Sequence, residues 1–274
     1  MDDRVLRSKP KIAVLAAFIY TAVMGGAMFY MRAVQGITYG DPKMMTVFWL
    51  VLLGLNLLNV FWVTRYFGWQ AIGFRPLNRQ QLLWFLPSIA VLMAMWVVCL
   101  SGLSRAALSA AQWQLFAIAG FTTLLVGLGE ETMYRGIVLH SFLTTGRVRW
   151  AMLVSAIGFA LLHAVNVFGG VPLLGMPMQL IMTFLFGLFF APLMLKLNNI
   201  VPLLIFHWLW DFVLFAAPLM GEQVHASVGI IGMLNIPIEI IGGIWLWLQL
   251  KQVPDRAIAN FPDSLLDGSI SDKV

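Results

Sequence analysis

The chain has 274 residues, of which 61% are apolar and 11% are charged, and its mean hydropathy is +0.88. Soluble domains carry about 25% charged residues, so this composition excludes an ordinary soluble fold. The net charge of +5 comes from basic residues scattered through loops and not from a stripe. We therefore expect anionic lipid as their partner, and no nucleic acid.

Apolar runs long enough to cross a hydrocarbon core of roughly 30 Å as helices follow one another along the chain. They predict an all-α, polytopic membrane protein of about eight transmembrane helices, with an intramembrane polar cavity. Residues 1–10 are predicted to be a cytoplasmic N-terminal segment, 11–250 the transmembrane domain, and 251–274 a cytoplasmic polar tail. The predicted spans are 11–31, 44–65, 81–101, 113–142, 150–168, 176–196, 201–217 and 229–250.

Basic residues are distributed unevenly between the two ends of these spans. Because basic flanks stay in the cytoplasm, the N-terminus and the C-terminus are both predicted to be cytoplasmic, in a bacterial inner membrane. Only Arg32, Lys43 and Arg105 of the 17 basic residues then lie outside, and Arg135 lies within a span. The other thirteen are cytoplasmic: Arg4, Arg7, Lys9, Lys11, Arg65, Arg75, Arg79, Arg147, Arg149, Lys196, Lys251, Arg256 and Lys273.

Several ionisable residues lie inside apolar runs, where a charged side chain costs about 2.5 to 3.5 kcal/mol even on lenient scales. Each therefore needs a partner or a function. Polar groups as a whole crowd into three of the later spans, with none in the first three. The fourth span holds Glu130, Glu131 and Arg135, the fifth holds His163 with the polar but uncharged Asn166, and the seventh holds His207 and Asp211.

Helical spacing divides these residues into pairs. Glu131 and Arg135 are four apart and share a helix face, so an ion pair can offset much of their desolvation. His207 and Asp211 share a face in the same way, so the carboxylate can orient the imidazole or join it on a metal. Glu130 lies about 100° around the helix from Glu131. It is therefore the freer carboxylate and the better candidate for a general base.

The depths of these residues predict that they meet. Counted at about 1.5 Å per residue from the cytoplasmic ends of their spans, they lie roughly 9 to 20 Å deep, which predicts one cavity that opens toward the cytoplasm. Such a cavity is equipped to activate water, with the histidines holding a divalent metal or hydrogen-bonding the water and an oxyanion. An ion-coupled transporter also buries such groups, but would show paired discontinuous helices, which the sequence does not indicate.

Three motifs in order resemble the CPBP intramembrane proteases, also called the Abi or CAAX prenyl protease family. The family's E-E-x-x-x-R is matched by Glu130, Glu131 and Arg135, and its F-x-x-x-H by Phe159 and His163. Its last motif, H-x-x-x-N or H-x-x-x-D, is matched by the pair in the seventh span, His207 and Asp211.

The resemblance implies an intramembrane endopeptidase that cleaves a membrane-associated peptide or protein, with or without a lipid anchor. By the same resemblance, Glu130 activates water, His163, His207 and Asp211 place that water or a metal, and Glu131 and Arg135 support them. A zinc ion held by His163 and His207, with Glu130 or Asp211, is compatible with the motifs but not required by them. The alternative is a non-catalytic membrane immunity or interaction protein that retains the motif.

Two further features stand outside these motifs. Asn235 and Glu239 lie four apart in the last span, and the sequence assigns them no role beyond a chance of lining the cavity. His140, close to the cytoplasmic end of the fourth span, is predicted to be an ordinary interfacial histidine.

Overall fold

A computed structural model describes residues 3–251 of the chain, and the side chains of residues 9–250. That part of the chain is helical and contains no strand, which confirms the all-α fold. Eight helical stretches in it are long and apolar enough to cross a membrane. They are Lys9–Ala33, Pro42–Phe67, Leu86–Leu103, Ala110–Leu143, Val148–Val167, Met176–Leu197, Val201–Met220 and Glu222–Leu250.

Ten α-helices build these stretches, together with shorter 3-10 and π-helical turns. The helices are α1 (Asp3–Ala33), α2 (Met45–Trp62), α3 (Leu86–Leu103), α4 (Ala110–Glu131), α5 (Leu139–Leu143), α6 (Val148–Leu162), α7 (Met176–Leu197), α8 (Val201–Ala216), α9 (Glu222–Met233) and α10 (Asn235–Lys251). The π-helical turns are Val63–Phe67 and Thr132–Val138. The 3-10 turns are Pro42–Met44, Arg79–Trp84, His163–Val167 and Ala217–Met220.

Most predicted spans agree with these bounds to within a few residues, and two differ for local reasons. The third span begins at Leu86 and not at 81, because Pro87 starts a new helix after the 3-10 turn Arg79–Trp84. The eighth begins at Glu222 and not at 229, and it turns at Leu234 between α9 and α10. The predicted tail from 252 onward and residues 1 and 2 lie outside the described residues, whereas residues 3–10 already belong to α1.

Helix α4 lies at the centre of the bundle, packed against α8 on one side and α2 on the other. Its contact with α8 is close because α4 has glycines there. A Cβ atom on Gly127 would lie 2.9 Å from the backbone nitrogen of Trp208, and one on Gly120 would lie 2.9 Å from the ring of Phe212. Small residues that let two backbones approach are a common means of joining helices in membranes.

Helix α2 is joined to α4 by two asparagines. The Asn56 amide donates to the Leu125 carbonyl at 2.9 Å, and the Asn59 amide donates to the Gly129 carbonyl at 2.9 Å. The statement that the first three spans carry no buried polar group of note was therefore wrong for α2. These two bonds and the glycine contact with α8 hold the end of α4 in place, directly before Glu130.

The segment 68–85 lies across the bundle end that also carries the connections after α5 and α7. Ile72 is fully buried, and a Cβ atom on Gly136 would lie 3.4 Å from its side chain. The backbone amide of Ile200 donates to the Gly73 carbonyl at 2.9 Å, and the backbone amide of Asn78 donates to the Leu197 carbonyl at 3.0 Å. The segment is thus tied to the turn between α7 and α8.

Candidate active site

The paired glutamates lie at the end of α4, where the chain changes to the π-helical turn Thr132–Val138. Such turns widen a helix and are frequent at functional sites. Inside a membrane, the carbonyl groups that they displace need partners from the protein. Here the Ser155 hydroxyl donates to the Tyr134 carbonyl at 2.8 Å, and His140 Nδ1 lies 2.8 Å from the Arg135 carbonyl. His140 is therefore a structural partner of the π-helical turn, and the prediction of an ordinary interfacial histidine was wrong.

Glu131 joins the fourth span to the seventh. Its Oε1 atom lies 3.0 Å from Nη1 of Arg135 and 2.8 Å from Nδ1 of His207. The predicted pairing of Glu131 with Arg135 is thus found in the structure, and the bond to His207 is an addition that sequence spacing did not indicate. Because a carboxylate only accepts hydrogen bonds, Nδ1 of His207 carries the proton in this bond.

The other ring nitrogen of His207 points toward two further carboxyl groups. Its Nε2 atom lies 3.6 Å from Oδ2 of Asp211 and 3.9 Å from Oε2 of Glu130. Both separations exceed a direct hydrogen bond and leave these groups close enough to share a water molecule. The Oε2 atom of Glu130 is buried and has no hydrogen-bond partner among the described residues, which agrees with its prediction as the freer carboxylate.

His163 joins this group from the end of α6. Its Nδ1 atom lies 2.9 Å from the Phe159 carbonyl, so Nδ1–H is the donor and Nε2 is left as an acceptor. The Phe159 ring lies between the two histidines, with centroids 4.9 Å from His163 and 5.9 Å from His207.

Arg135 is fully buried in a cage of phenylalanine rings. Its Cζ atom lies 4.0 Å from the ring centre of Phe159 and 5.5 Å from those of Phe186 and Phe190. The ion pair with Glu131 is close but not aligned as a hydrogen bond, and no guanidinium nitrogen has a hydrogen-bond partner in the described part of the chain. Cation–π attraction to the rings therefore contributes to holding the buried charge. The sequence did not indicate Phe186 and Phe190.

Two cavities meet at these residues. The first, which we call the small chamber, has a volume of about 60 Å³ and is bordered by α1, α2, α4, α6 and α8. The second, which we call the apolar cavity, has a volume of about 600 Å³ and is bordered by α6 to α10. Glu130 lines the small chamber, His207 lines the apolar cavity, and His163 and Asp211 line both. The six predicted residues are therefore brought together, five by direct contacts and His163 through the shared cavities.

The position of the cavities contradicts one expectation. The small chamber reaches Met28, Tyr39 and Asn166, and the apolar cavity reaches Met178. These residues lie near the span ends opposite the chain's N-terminus, close to the connections 34–41 and 168–175. The prediction that the site opens on the same side as the N-terminus was therefore wrong. It rested on depth alone and took no account of how the helices pack on either side of the site.

Tyr39 is the residue of the small chamber that the sequence gave no reason to select. It lies in the connection 34–41, where its amide donates to the Gly169 carbonyl at 2.8 Å and the Gln179 amide lies 3.3 Å from its hydroxyl. Burial raises the pKa of the Tyr39 hydroxyl above its ordinary value, and the carboxyl groups of Asp211 and Glu130 add to the effect. The hydroxyl therefore remains protonated at neutral pH.

Asn235 and Glu239 lie on the wall of the apolar cavity. The Asn235 amide donates to Oε1 of Glu239 at 2.7 Å, and the Asn235 carbonyl oxygen is buried without a partner among the described residues. Within residues 9–250 Glu239 forms no ion pair. The pair therefore adds acceptors to a cavity whose other polar lining residues are His163, Thr183, His207 and Asp211.

A metal centre is not evident in the arrangement of donors. Among the described residues, no group of three or more His, Cys, Asp or Glu side chains is placed to hold a metal ion. Because His207 Nδ1 is bound to Glu131 and His163 Nδ1 to a carbonyl, only the two Nε2 atoms are left as candidate histidine ligands. The predicted zinc ion stays a prediction, and no chemical step below depends on it.

Comparison with known families gives one match. Residues 111–213 match the family model described as Type II CAAX prenyl endopeptidase Rce1-like. No curated protein and no solved structure matches the chain. The matched range contains all six predicted site residues, so it confirms the resemblance to the CAAX prenyl protease family and supports an intramembrane protease at family level.

Proposed function

We propose, on the premise that residues 111–213 belong to the Rce1-like family of type II CAAX prenyl endopeptidases, that this protein hydrolyses a peptide bond with water activated by Glu130. The proposal rests on the different surroundings of the two paired glutamates. Glu131 is engaged by both Arg135 and His207, whereas Glu130 has a buried oxygen without a partner at the edge of a water-sized chamber.

The reaction follows from the positions of the acceptors and donors. The small chamber exceeds the roughly 15 Å³ that one water molecule needs, and Glu130 and His163 both line it. Glu130 takes a proton from this water as the water oxygen attacks the peptide carbonyl carbon. General-base catalysis of this kind contributes about 10² to 10⁴ in rate. When the C–N bond breaks, Glu130 returns the proton to the leaving amine.

His207 is suited to stabilise the oxyanion that forms in this attack. Its Nδ1–H is fixed by Glu131, and Nε2 lies 3.6 Å from Oδ2 of Asp211, within reach of a bridging water. When Nε2 carries a proton, it can donate a hydrogen bond to the oxyanion during the reaction. Donors fixed in advance of the reaction are worth about 10² to 10³ in rate. Arg135 supports this arrangement by balancing the charge of Glu131 and has no direct part in the chemistry.

The apolar cavity supports binding of an extended peptide beside these groups. Its volume of about 600 Å³ lies within the range of typical ligand sites, and it borders His163, His207 and Asp211 directly. The acceptors of Asn235 and Glu239 on its wall favour a donor or a cation on the bound peptide. We therefore propose an apolar membrane-associated peptide with a basic or donor side chain as the substrate, and anionic lipid as the partner of the basic flanks.

The test is hydrolysis of quenched peptides, lipidated and plain, by the detergent-purified full chain and by Glu130→Ala. Cleavage by the wild type that the variant loses is the expected result. Equal cleavage by both proteins would refute the role of Glu130. Binding of a peptide without cleavage by either protein would favour the immunity or interaction protein. Metal analysis of the same samples decides whether His163 and His207 hold an ion.

A further inference from the structure

Neither of the two cavities extends from the site toward the side that carries the N-terminus. On the side that carries the N-terminus, every residue from Thr132 to Leu139 is buried, and the phenylalanine cage around Arg135 fills the space between the glutamates and that side. The segment 68–85 covers that end through Ile72, which is fully buried against the π-helical turn. No residue of this segment lines the small chamber or the apolar cavity.

On the opposite side the packing is open. The small chamber reaches Tyr39 in the connection 34–41, and the apolar cavity reaches Met178 near the start of α7, which is 60% exposed. This cavity also reaches Met233, which is 65% exposed and lies midway along the span Glu222–Leu250. Both methionines lie on helices of the bundle surface, so this cavity also faces the lipid. A peptide held in the leaflet on this side can therefore enter without crossing the membrane.

The charges assign a compartment to the two sides. Of the 15 basic residues within the described range 3–251, eleven lie on the closed side, and Arg32, Lys43 and Arg105 lie on the open side. Basic residues in short loops stay in the cytoplasm. The closed side is then cytoplasmic, and the open side faces away from the cytoplasm.

We propose that the substrate is a peptide segment at the non-cytoplasmic surface, anchored in the outer leaflet, and not the carboxyl terminus of a cytoplasmic prenylated protein. That the bound peptide is a substrate rests on the proposed peptidase function, whereas the direction of the opening rests on packing and charge alone. Its test therefore measures the opening and the cleavage separately.

The opening is measured with single cysteines in intact bacterial cells, using a maleimide that does not cross membranes. Cys99, the one cysteine of the chain, is buried and is first replaced by serine. Thr38→Cys and Thr145→Cys mark the two surfaces, since both threonines are exposed on opposite sides. Val165→Cys reports on the small chamber, and Ser155→Cys on the closed half, where the serine is fully buried.

We expect rapid labelling of Thr38→Cys and measurable labelling of Val165→Cys in intact cells. Thr145→Cys should label only after permeabilisation, and Ser155→Cys should remain at least tenfold slower than Val165→Cys in both cases. Labelling of Thr145→Cys in intact cells, or of Val165→Cys only after permeabilisation, would overturn the inference.

Cleavage is measured with an impermeant quenched peptide added to right-side-out or inverted vesicles containing the wild-type chain. We expect cleavage in right-side-out vesicles and a loss of at least tenfold in inverted ones. The reverse preference contradicts the inference. Expected labelling with no cleavage in any preparation, detergent included, refutes the peptidase function and leaves the direction of the opening established.

Discussion

The paired glutamates offer a direct test of the mechanism, because Glu130→Gln and Glu131→Gln make the same chemical change at adjacent positions. We expect Glu130→Gln to lower kcat by about 10² to 10⁴, since an amide cannot take the proton from water. We expect its thermal midpoint to stay within about 2 °C of the wild type. The Oε2 atom of Glu130 is buried without a hydrogen-bond partner among the described residues, so removal of its charge breaks no bond there.

For Glu131→Gln, in contrast, we expect a large loss of stability. The change removes the negative charge from an atom that lies 3.0 Å from Arg135 and 2.8 Å from His207. Removal of one partner from a buried ion pair costs about 3 to 5 kcal/mol. Because a glutamine oxygen still accepts from His207, we take the lower value, about 3 kcal/mol. At about 2 to 4 °C per kcal/mol for a chain of this size, the midpoint should fall by roughly 6 to 12 °C.

The two variants are compared with the wild type in one detergent, by tryptophan fluorescence on heating and by single-turnover hydrolysis of a quenched peptide. Hydrolysis is measured at least 15 °C below the lowest midpoint, so that unfolding does not limit it. Two results would refute the reasoning. One is hydrolysis by Glu130→Gln within tenfold of the wild type, and the other is a larger loss of stability in Glu130→Gln than in Glu131→Gln.

Two other variants test the packing and the substrate cavity. The methyl group of Gly127→Ala would lie 2.9 Å from the Trp208 backbone nitrogen and would push α4 away from α8. The variant should therefore lose about 1 to 3 kcal/mol of stability and hydrolyse the peptide at least tenfold more slowly. Its control is Gly26→Ala, whose methyl group meets nothing within 4 Å and should leave the thermal midpoint and the rate unchanged. Glu239→Gln should raise KM about tenfold for peptides with a basic residue and leave kcat and neutral peptides little changed, since hydrogen bonds to charged groups are worth about 1.5 to 3 kcal/mol. Glu222→Gln, a change at an exposed acid, is its control, and an equal rise in KM for both peptide classes would contradict the assignment.

Periodicity and motif spacing predicted much of the fold and which residues would lie together in the candidate site. Length and hydropathy were sufficient for the number of spans, because each must cover the same hydrocarbon thickness. The four-residue spacing of Glu131 and Arg135 correctly predicted that they share a face. The bond between Glu131 and His207 was not predictable in this way, because it joins residues 76 apart and depends on the approach of α4 to α8.

The polar residues that were not predicted differ in whether the sequence carries a signal for them. Asn56 and Asn59 were visible, since an amide in an apolar span needs a partner as a charge does. Both donate to carbonyls of α4. Tyr39 gave no such signal, because a tyrosine in a connection between spans is ordinary, and only the fold places its side chain beside Glu130.

The direction of the opening shows why depth in a membrane does not determine access. Counting residues from one end of each span places His163 and Asp211 near the middle of the bilayer, and the middle is reached equally well from either surface. What decides between the surfaces is the packing above and below the site. Below it, Ile72 packs on the π-helical turn and the phenylalanine rings enclose Arg135. Above it, the small chamber continues to Tyr39. The same aromatic residues that stabilise the buried arginine therefore also close the side that carries the N-terminus, so a variant that opens this side is expected to lose the Arg135 cage as well.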